Sequence, residues 1–309
     1  TLISFAEVSE DYKYVKPVIS EGNELEIIDG RHPVIERLLP PGEKFIANDT
    51  YADTADSQIL ILTGPNMSGK SSYLRQVGLI ILLAQIGCFV PARSAKISIV
   101  DKIFTRVGAS DNIAKGESTF LVEMHEAANI LNNATSKSLI LLDEIGRGTS
   151  TYDGISIAWA MTEYIHENPN INAKTLFATH YHELNALADM YPRIKNFRVE
   201  VKEYNDKVIF LRKITEGTAD HSYGIQVAQM AGLPEKVTNR AKEILRSLED
   251  KEYRRKTADD LQISMFESAV TELESEALKK MLSEIDIDSI TPLDAMNILK
   301  KLKDESNRK

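Results

Sequence analysis

Apolar and polar positions alternate in blocks along most of this chain. "ILILT", Ile59 to Thr63, is a short apolar run between polar segments, the pattern of a strand buried on both faces. A long apolar stretch from Lys70 to about Ile86 has the length of a helix. "STFLVEMHEAANILNNA" sets Phe120, Leu121, Met124, Ala127, Ala128 and Leu131 at helical spacing, so one face is apolar. "SLILLDE" is a continuous apolar run ending in two acids, "GISIAWAMTEYIHE" reads as a helix, and "KTLFATH" as another buried strand. "AKISIVDKIFTRVG" supplies one or two short strands. Strands alternating with helices predict an α/β fold, a mixed, mostly parallel sheet flanked by crossover helices.

The flanking segments are less regular. "TLISFAEVSEDYKYVKPVI" reads as the end of a helix that becomes extended. "LEIIDGRHPVIERLL" has turn chemistry at Asp29-Gly30 and a helix after Pro33. "KFIANDTYADTADSQ" is a polar connection with strand character at Phe45–Ala47. Past about Glu216, "SYGIQVAQMAGLPEKVTNRAKEILRSLE" predicts two helices broken at Gly232-Leu233-Pro234. Residues 251–262 are polar and charged, a linker, and a small helical tail is expected over about 283–303. No internal repeat is visible.

Bulk properties narrow the class without fixing it. The 309 residues carry 43% hydrophobic and 27% charged positions, enough for a sizeable core in one large or two smaller domains. A net charge of −9 argues against a domain coated with a basic nucleic-acid face, although a local patch stays open. The single cysteine, Cys88, excludes an internal disulfide, fits a reducing compartment and lies in an apolar run as a core residue would. There is no run of about 18 apolar residues to span a membrane, and no secretion signal. The expected location is cytoplasmic. The chain begins without Met and in mid-element, so a fragment of a longer protein is expected.

The chemistry is concentrated in three places. Gly64, Pro65, Asn66, Met67, Ser68, Gly69, Lys70 and Ser71 fit G-x-x-x-x-G-K-[ST], followed by Ser72. Such a loop follows a buried strand, points successive backbone N–H groups at phosphate oxygens, and adds the positive end of the next helix. Lys70 would reach the β- and γ-phosphates of ATP, and Ser71 would offer its hydroxyl to Mg²⁺. Asp143, ending a neighbouring strand, suits the same metal ion. Glu144 suits a general base that polarises the attacking water, which favours hydrolysis over transfer to a small molecule. His180, after the third strand, would donate a hydrogen bond to phosphate or water, with a plain surface histidine as the alternative. His182 and Glu183 complete no metal-ligand set.

Taken together, "TGPNMSGKSSYLRQ", "GESTFLVEM", "LLDEIGRGTSTYDG" and "FATHYHEL" resemble the ATPase domain of the MutS family of DNA mismatch repair proteins, one of the ABC-type ATPases. The motifs occur in family order, and "GRHPV", "FIAND" and "SYGIQVAQMAGLP" resemble family segments too, so the likeness covers nearly the whole chain. It implies a P-loop NTPase fold of the ABC type with an α-helical C-terminal extension. It also implies a nucleotide held between two copies of the chain. Ser118 and Thr119 would face the partner's γ-phosphate, although Ser118 also reads as an ordinary helix N-cap. Asp153 would lie across the interface beside both nucleotides. Phe45 and Ile46 match the segment that packs on adenine, with Phe45 as plain core the alternative. Asn66 matches a nucleotide-sensing position. Ser68 stands where many members have glycine, a departure a small residue should tolerate.

The resemblance divides the chain into the end of a lever helix and entry segment (1–20), an ATPase domain (21–218), a helix-turn-helix (219–250), a linker (251–280) and a helical oligomerisation segment (281–309). The helix-turn-helix is implied to be a dimerisation latch rather than a groove reader, as the acidic balance also favours. Gln262, Ser264, Met265 and Phe266, in "QISMF", resemble the peptide that holds the bacterial sliding clamp. That peptide and the tail favour the mismatch repair branch over the paralogous branch with a terminal nuclease. The implied partners are a second copy of the chain or a higher oligomer, mismatched double-stranded DNA in the full-length protein, a MutL-type repair protein and the clamp, with no membrane. The mismatch-reading regions would lie upstream. A non-enzymatic dimerisation scaffold and another ABC-type ATPase are the competing functions. A transporter motor would need a membrane partner, and no heptad run separates Lys70 from Asp143 as in chromosome-organising relatives.

Overall fold

The computed structural model describes residues 2–107, 118–204, 207–218 and 223–248. The chain divides into two compact units, 1–231 and 232–309. The clamp-like motif Gln262–Phe266 and the expected tail lie outside the described residues.

The first unit is built on a six-stranded sheet. Its order is β10 (Lys207–Glu216), β9 (Ile194–Tyr204), β4 (Ile59–Thr63), β8 (Lys174–Thr179), β7 (Leu139–Asp143), β6 (Ile103–Arg106). All neighbours run parallel except the β9–β10 pair. The parallel centre explains the unbroken apolar runs, because both faces are covered and every position of β4, β7 and β8 is buried. Alternate residues serve alternate sides. Leu60 and Leu62 join a core with α3 (Lys70–Gln85), while Ile59 and Ile61 join one with α4 (Thr119–Asn133) and α5 (Thr151–Glu167). Serines at the two N-caps start α4 and α5: Ser118 accepts from the Leu121 N–H, and Ser150 from the Asp153 N–H.

The expected single sheet is incomplete as a description, because a second, four-stranded sheet packs on the α3 side. Its order is β1 (Val18–Ser20), β5 (Ser94–Ser98), β2 (Leu25–Gly30), β3 (Asn48–Ala52). Two expectations shift with it. Strand character placed at Phe45–Ala47 belongs instead to Asn48–Ala52, whose buried positions include polar Asn48 and Thr50. Their partners lie far along the chain: Asn48 Oδ1 accepts from the Ile214 N–H, and Thr50 meets the Tyr73 hydroxyl at 2.9 Å. The turn expected at Asp29-Gly30 is a register irregularity inside β2, with Asp29 at φ 49°. The β9–β10 hairpin is an addition to the sequence reading.

The N-terminal segment forms α1 (Leu2–Asp11), and a single turn, α2 (Ile35–Leu38), follows Pro33. A 3₁₀ turn at His182–Ala186 leads into the short α6 (Leu187–Met190). The pair of helices expected over 219–250 is divided between the units. The first contributes α7 (Gly224–Met230) and the second a helix over 235–248. That second helix exposes Val237, Ile244 and Leu248.

Candidate nucleotide-binding site

Strand order decides the site. β8 lies between β4 and β7, so the phosphate-type loop, His180 and the Asp143-Glu144 pair leave the sheet side by side at the same end. The loop runs from Gly64, ending β4, to Gly69, whose φ of 104° puts it where an L side chain is strained. Ser68 is fully buried and donates to the Pro65 carbonyl at 2.7 Å, so the serine closes the loop with a hydrogen bond. Asn66 and Met67 project outward, while Ser71 and Ser72 are partly buried in the first turn of α3.

Lys70 is only 4% exposed and donates to the carbonyls of Gly64 (2.5 Å) and Pro65 (2.9 Å). Burial lowers its pKa, and the Glu144 and Asp143 carboxylates pull the other way. The ammonium therefore rests on the loop's own acceptors, directly beside the space a phosphate would take. Asp143 is buried, and its Oδ1 has no hydrogen-bond partner among the described residues. A buried anionic oxygen without a donor is poorly compensated, and a divalent cation would compensate it. Asp143 and the Ser71 hydroxyl thus fit Mg²⁺ brought in with a nucleotide, whose oxygens and waters would supply the remaining ligands. No cluster of three metal-ligating side chains occurs among the described residues.

Glu144 adopts φ 58°, unusual for a residue with a β-carbon, and its N–H is held by the Ala178 carbonyl of β8 at 2.8 Å. Burial raises its carboxyl pKa, while Arg147 opposes the rise. Arg147 is a group that sequence reasoning left without a role. Its guanidinium pairs with Glu144 at 2.5 Å and donates to Asn66 Oδ1 at 3.2 Å and His180 Nδ1 at 3.4 Å. The i,i+3 spacing to Glu144 was visible in the chain, but the other two partners come from the segments that follow β4 and β8. Because Arg147 donates to Nδ1, neutral His180 carries its proton on Nε2, which is left to donate.

Burial, with Arg147 and Lys70 adding repulsion, pushes the His180 pKa down to about 4. Burial also lowers those of His32 and His166. An unfolded histidine takes its proton near pH 6.5, whereas these folded ones resist it. Stability should therefore be lost as pH falls below about 6.5, with the His180 share gone by about pH 4. Glu144, raised by burial, contributes with the opposite sign. Thermal unfolding between pH 7.5 and 4.5 should show the decline, and His180→Asn should flatten it. An unchanged slope would mean that His180 protonates freely in the folded chain.

A cavity of about 250 Å³ adjoins the loop, lined by Phe45, Ile46, Met67, Ser72, Tyr73 and Arg212 among others. Phe45 is half-buried and Ile46 exposed there, a setting that suits an aromatic base. Arg212 reaches this cavity from β10 and carried no sequence signal. Ser118 and Thr119 are exposed at the start of α4, and Asp153 is exposed in the first turn of α5, where Ser150 Oγ donates to its carboxylate at 2.8 Å. The structure does not bring these three onto the chain's own Lys70 in any recorded contact. The support beneath the loop that follows Glu144 comes from α4. Glu123, buried, accepts the Gly146 N–H and pairs with Arg106, which also reaches Glu126 at 3.0 Å.

Residues 60–249 match the family model described as MutS domain V. The chain is 56% identical over 316 residues to the DNA mismatch repair protein MutS of Parabacteroides distasonis, covering 98% of this chain and 36% of the relative. It is 58% identical over 307 residues to that of Thermodesulfovibrio yellowstonii, covering 98% and 35%. For Chlorobaculum parvum the figures are 57% over 310 residues, 98% and 34%. The chain spans about a third of the length of the curated relatives it matches.

Proposed function

Because the chain belongs to the MutS family and carries its domain V, we propose that it is the ATP-hydrolysing module of a DNA mismatch repair protein. The observation that carries this reading is the adjacency of β4, β8 and β7, which gathers the phosphate-type loop, His180 and Asp143-Glu144 at one sheet end.

ATP would lay its phosphates along the Gly64–Ser72 loop and its base on Phe45 and Ile46. Lys70 would exchange the Gly64 and Pro65 carbonyls for phosphate oxygens. Mg²⁺, when bound, neutralises charge on those oxygens, and Ser71 and Asp143 are the groups that would hold it. Glu144 accepts a proton from water as the water oxygen bonds to the γ-phosphorus. The bond from that phosphorus to the β-bridging oxygen breaks, and ADP leaves with the electron pair. His180 donates through Nε2 to the transferring group, and Arg147, anchored on Asn66, orients both Glu144 and His180.

Ser118, Thr119 and Asp153 are proposed to complete the site of a second copy of the chain, with Val237, Ile244 and Leu248 of the helix over 235–248 in the latch between copies. The nucleotide state would then set the geometry of a dimer that, in the longer protein, sits on mismatched DNA. A MutL-type protein and a sliding clamp are the further partners proposed.

A complementation experiment tests the shared site. Lys70→Met and Ser118→Ala chains should each hydrolyse ATP poorly, the second also losing about 1 kcal/mol of helix capping. Mixed, they form dimers with one intact site, and turnover should recover to about a quarter of the unsubstituted level. Absence of recovery would show that each chain completes its own site.

A further inference from the structure

The opposite end of the six-stranded sheet holds a second candidate site. Lys174, the first residue of β8, is 2% exposed, and its ammonium makes no hydrogen bond or ion pair with any described residue. The nearby charge that acts on it is Asp53. That carboxylate is already committed: Oδ1 accepts the N–H groups of Ala55, Asp56 and Ser57, and Oδ2 accepts the Tyr51 hydroxyl. A buried cation without a contacting anion or acceptor is costly to fold around.

Lys174 lines a cavity of about 310 Å³. The other walls are Glu21, Gly22 and Asn23 from the β1–β2 connection, Ile99 after β5, and Lys137 before β7. The volume lies at the low end of the roughly 300–1,000 Å³ typical of small-molecule sites. The lining side chains carry two ammonium groups and the Glu21 carboxylate, Asp53 acts on Lys174 from outside the lining, and Asn23 and the Gly22 backbone add polar groups. A neutral or cationic ligand would leave the Lys174 ammonium without a contacting acceptor, whereas an oxyanion would pair with it and with Lys137.

We propose that this cavity is a binding site for a small oxyanion of the phosphate or carboxylate class, held by Lys174 and Lys137. It lies at the sheet end remote from the phosphate-type loop, so its occupancy would stabilise the junction between the two sheets rather than enter hydrolysis.

The test is thermal unfolding of the whole chain against inorganic phosphate and, separately, acetate, at constant ionic strength, with and without saturating ADP and Mg²⁺. The expected result is a saturable rise of about 2–4 °C that persists with ADP present. Lys174→Met should abolish the rise while staying close to the unsubstituted chain's stability without anion, since the ammonium it removes has no contacting partner among the described residues. Lys137→Ala, an exposed substitution, should weaken the response at least about tenfold in anion concentration and serves if Lys174→Met fails to fold. Response to phosphate alone assigns the phosphate class, and response to acetate alone the carboxylate class. No response, or one equal in all three chains, would overturn the proposal. A response that vanishes with ADP would place the anion on the phosphate-type loop and leave the nucleotide reading standing. Failure of ADP to bind would sink that reading without touching this one, since the substitutions can be compared in its absence.

Discussion

Replacing Glu144 by glutamine is expected to lower steady-state ATP hydrolysis by about 10²–10⁴-fold while leaving ATP affinity within about threefold. Glutamine keeps the size of the side chain and an oxygen for Arg147, so the loop geometry set by the Ala178 carbonyl and the Glu123–Gly146 contact should survive. What disappears is the ability to take a proton. Burial raises the Glu144 carboxyl pKa, which strengthens it as a base, and Arg147 opposes the rise. Phosphate release and nucleotide binding, measured on the same samples, separate the two effects. Turnover equal to the unsubstituted chain would remove Glu144 as the base. Tight nucleotide binding with no turnover even in the unsubstituted chain would instead favour the scaffold function.

The second large effect concerns packing beneath that loop. Gly154→Ala is expected to destabilise the chain by about 3 kcal/mol, at the upper end for overpacking, and to lower the unfolding midpoint by roughly 6–12 °C. A methyl at Gly154 falls on the Gly146 carbonyl oxygen and the Tyr181 hydroxyl, which are themselves bonded at 3.0 Å. Gly146 approaches from the other side with φ 89°, and a β-carbon there would come within 2.6 Å of the Gly154 Cα. The colliding atoms are largely backbone, so no rotamer change relieves them. The loop that follows Glu144 must move, and the proposed hydrolysis should fall with stability. Gly224→Ala, also at the start of a helix, meets nothing within 4 Å and should be neutral or up to about 1 kcal/mol stabilising. Thermal denaturation of both variants decides the matter. Equal midpoints would show that α5 and the loop pack less closely than described.

The parts of this chain that were legible in sequence share a physical cause. β4, β7 and β8 are buried on both faces, so they show as unbroken apolar runs with sharp ends. The phosphate-type loop and the strand-ending acids are local, because each motif lies within a few consecutive residues. β3 was misplaced because Asn48 and Thr50 are buried through partners that only the fold supplies. The β9–β10 hairpin was missed because it closes the sheet on its outer side, where the two strands alternate apolar residues with many charged ones. Arg147 was missed because two of its three partners come from the segments after β4 and β8, far away in the chain.

By itself the sequence determined which groups this protein has for chemistry: a loop of backbone donors, a lysine, a pair of acids, a histidine and the strands that end in them. Local covalent order is enough for that, since each motif occupies a few consecutive residues. The tertiary structure alone decided that β8 lies between β4 and β7, that Arg147 ties Glu144 to His180 and Asn66, and that Lys174 is buried with no acceptor among the described residues in contact with its ammonium. Those facts depend on strand order and on which faces are covered. Both are settled by packing among segments far apart in the chain, and no short pattern encodes them.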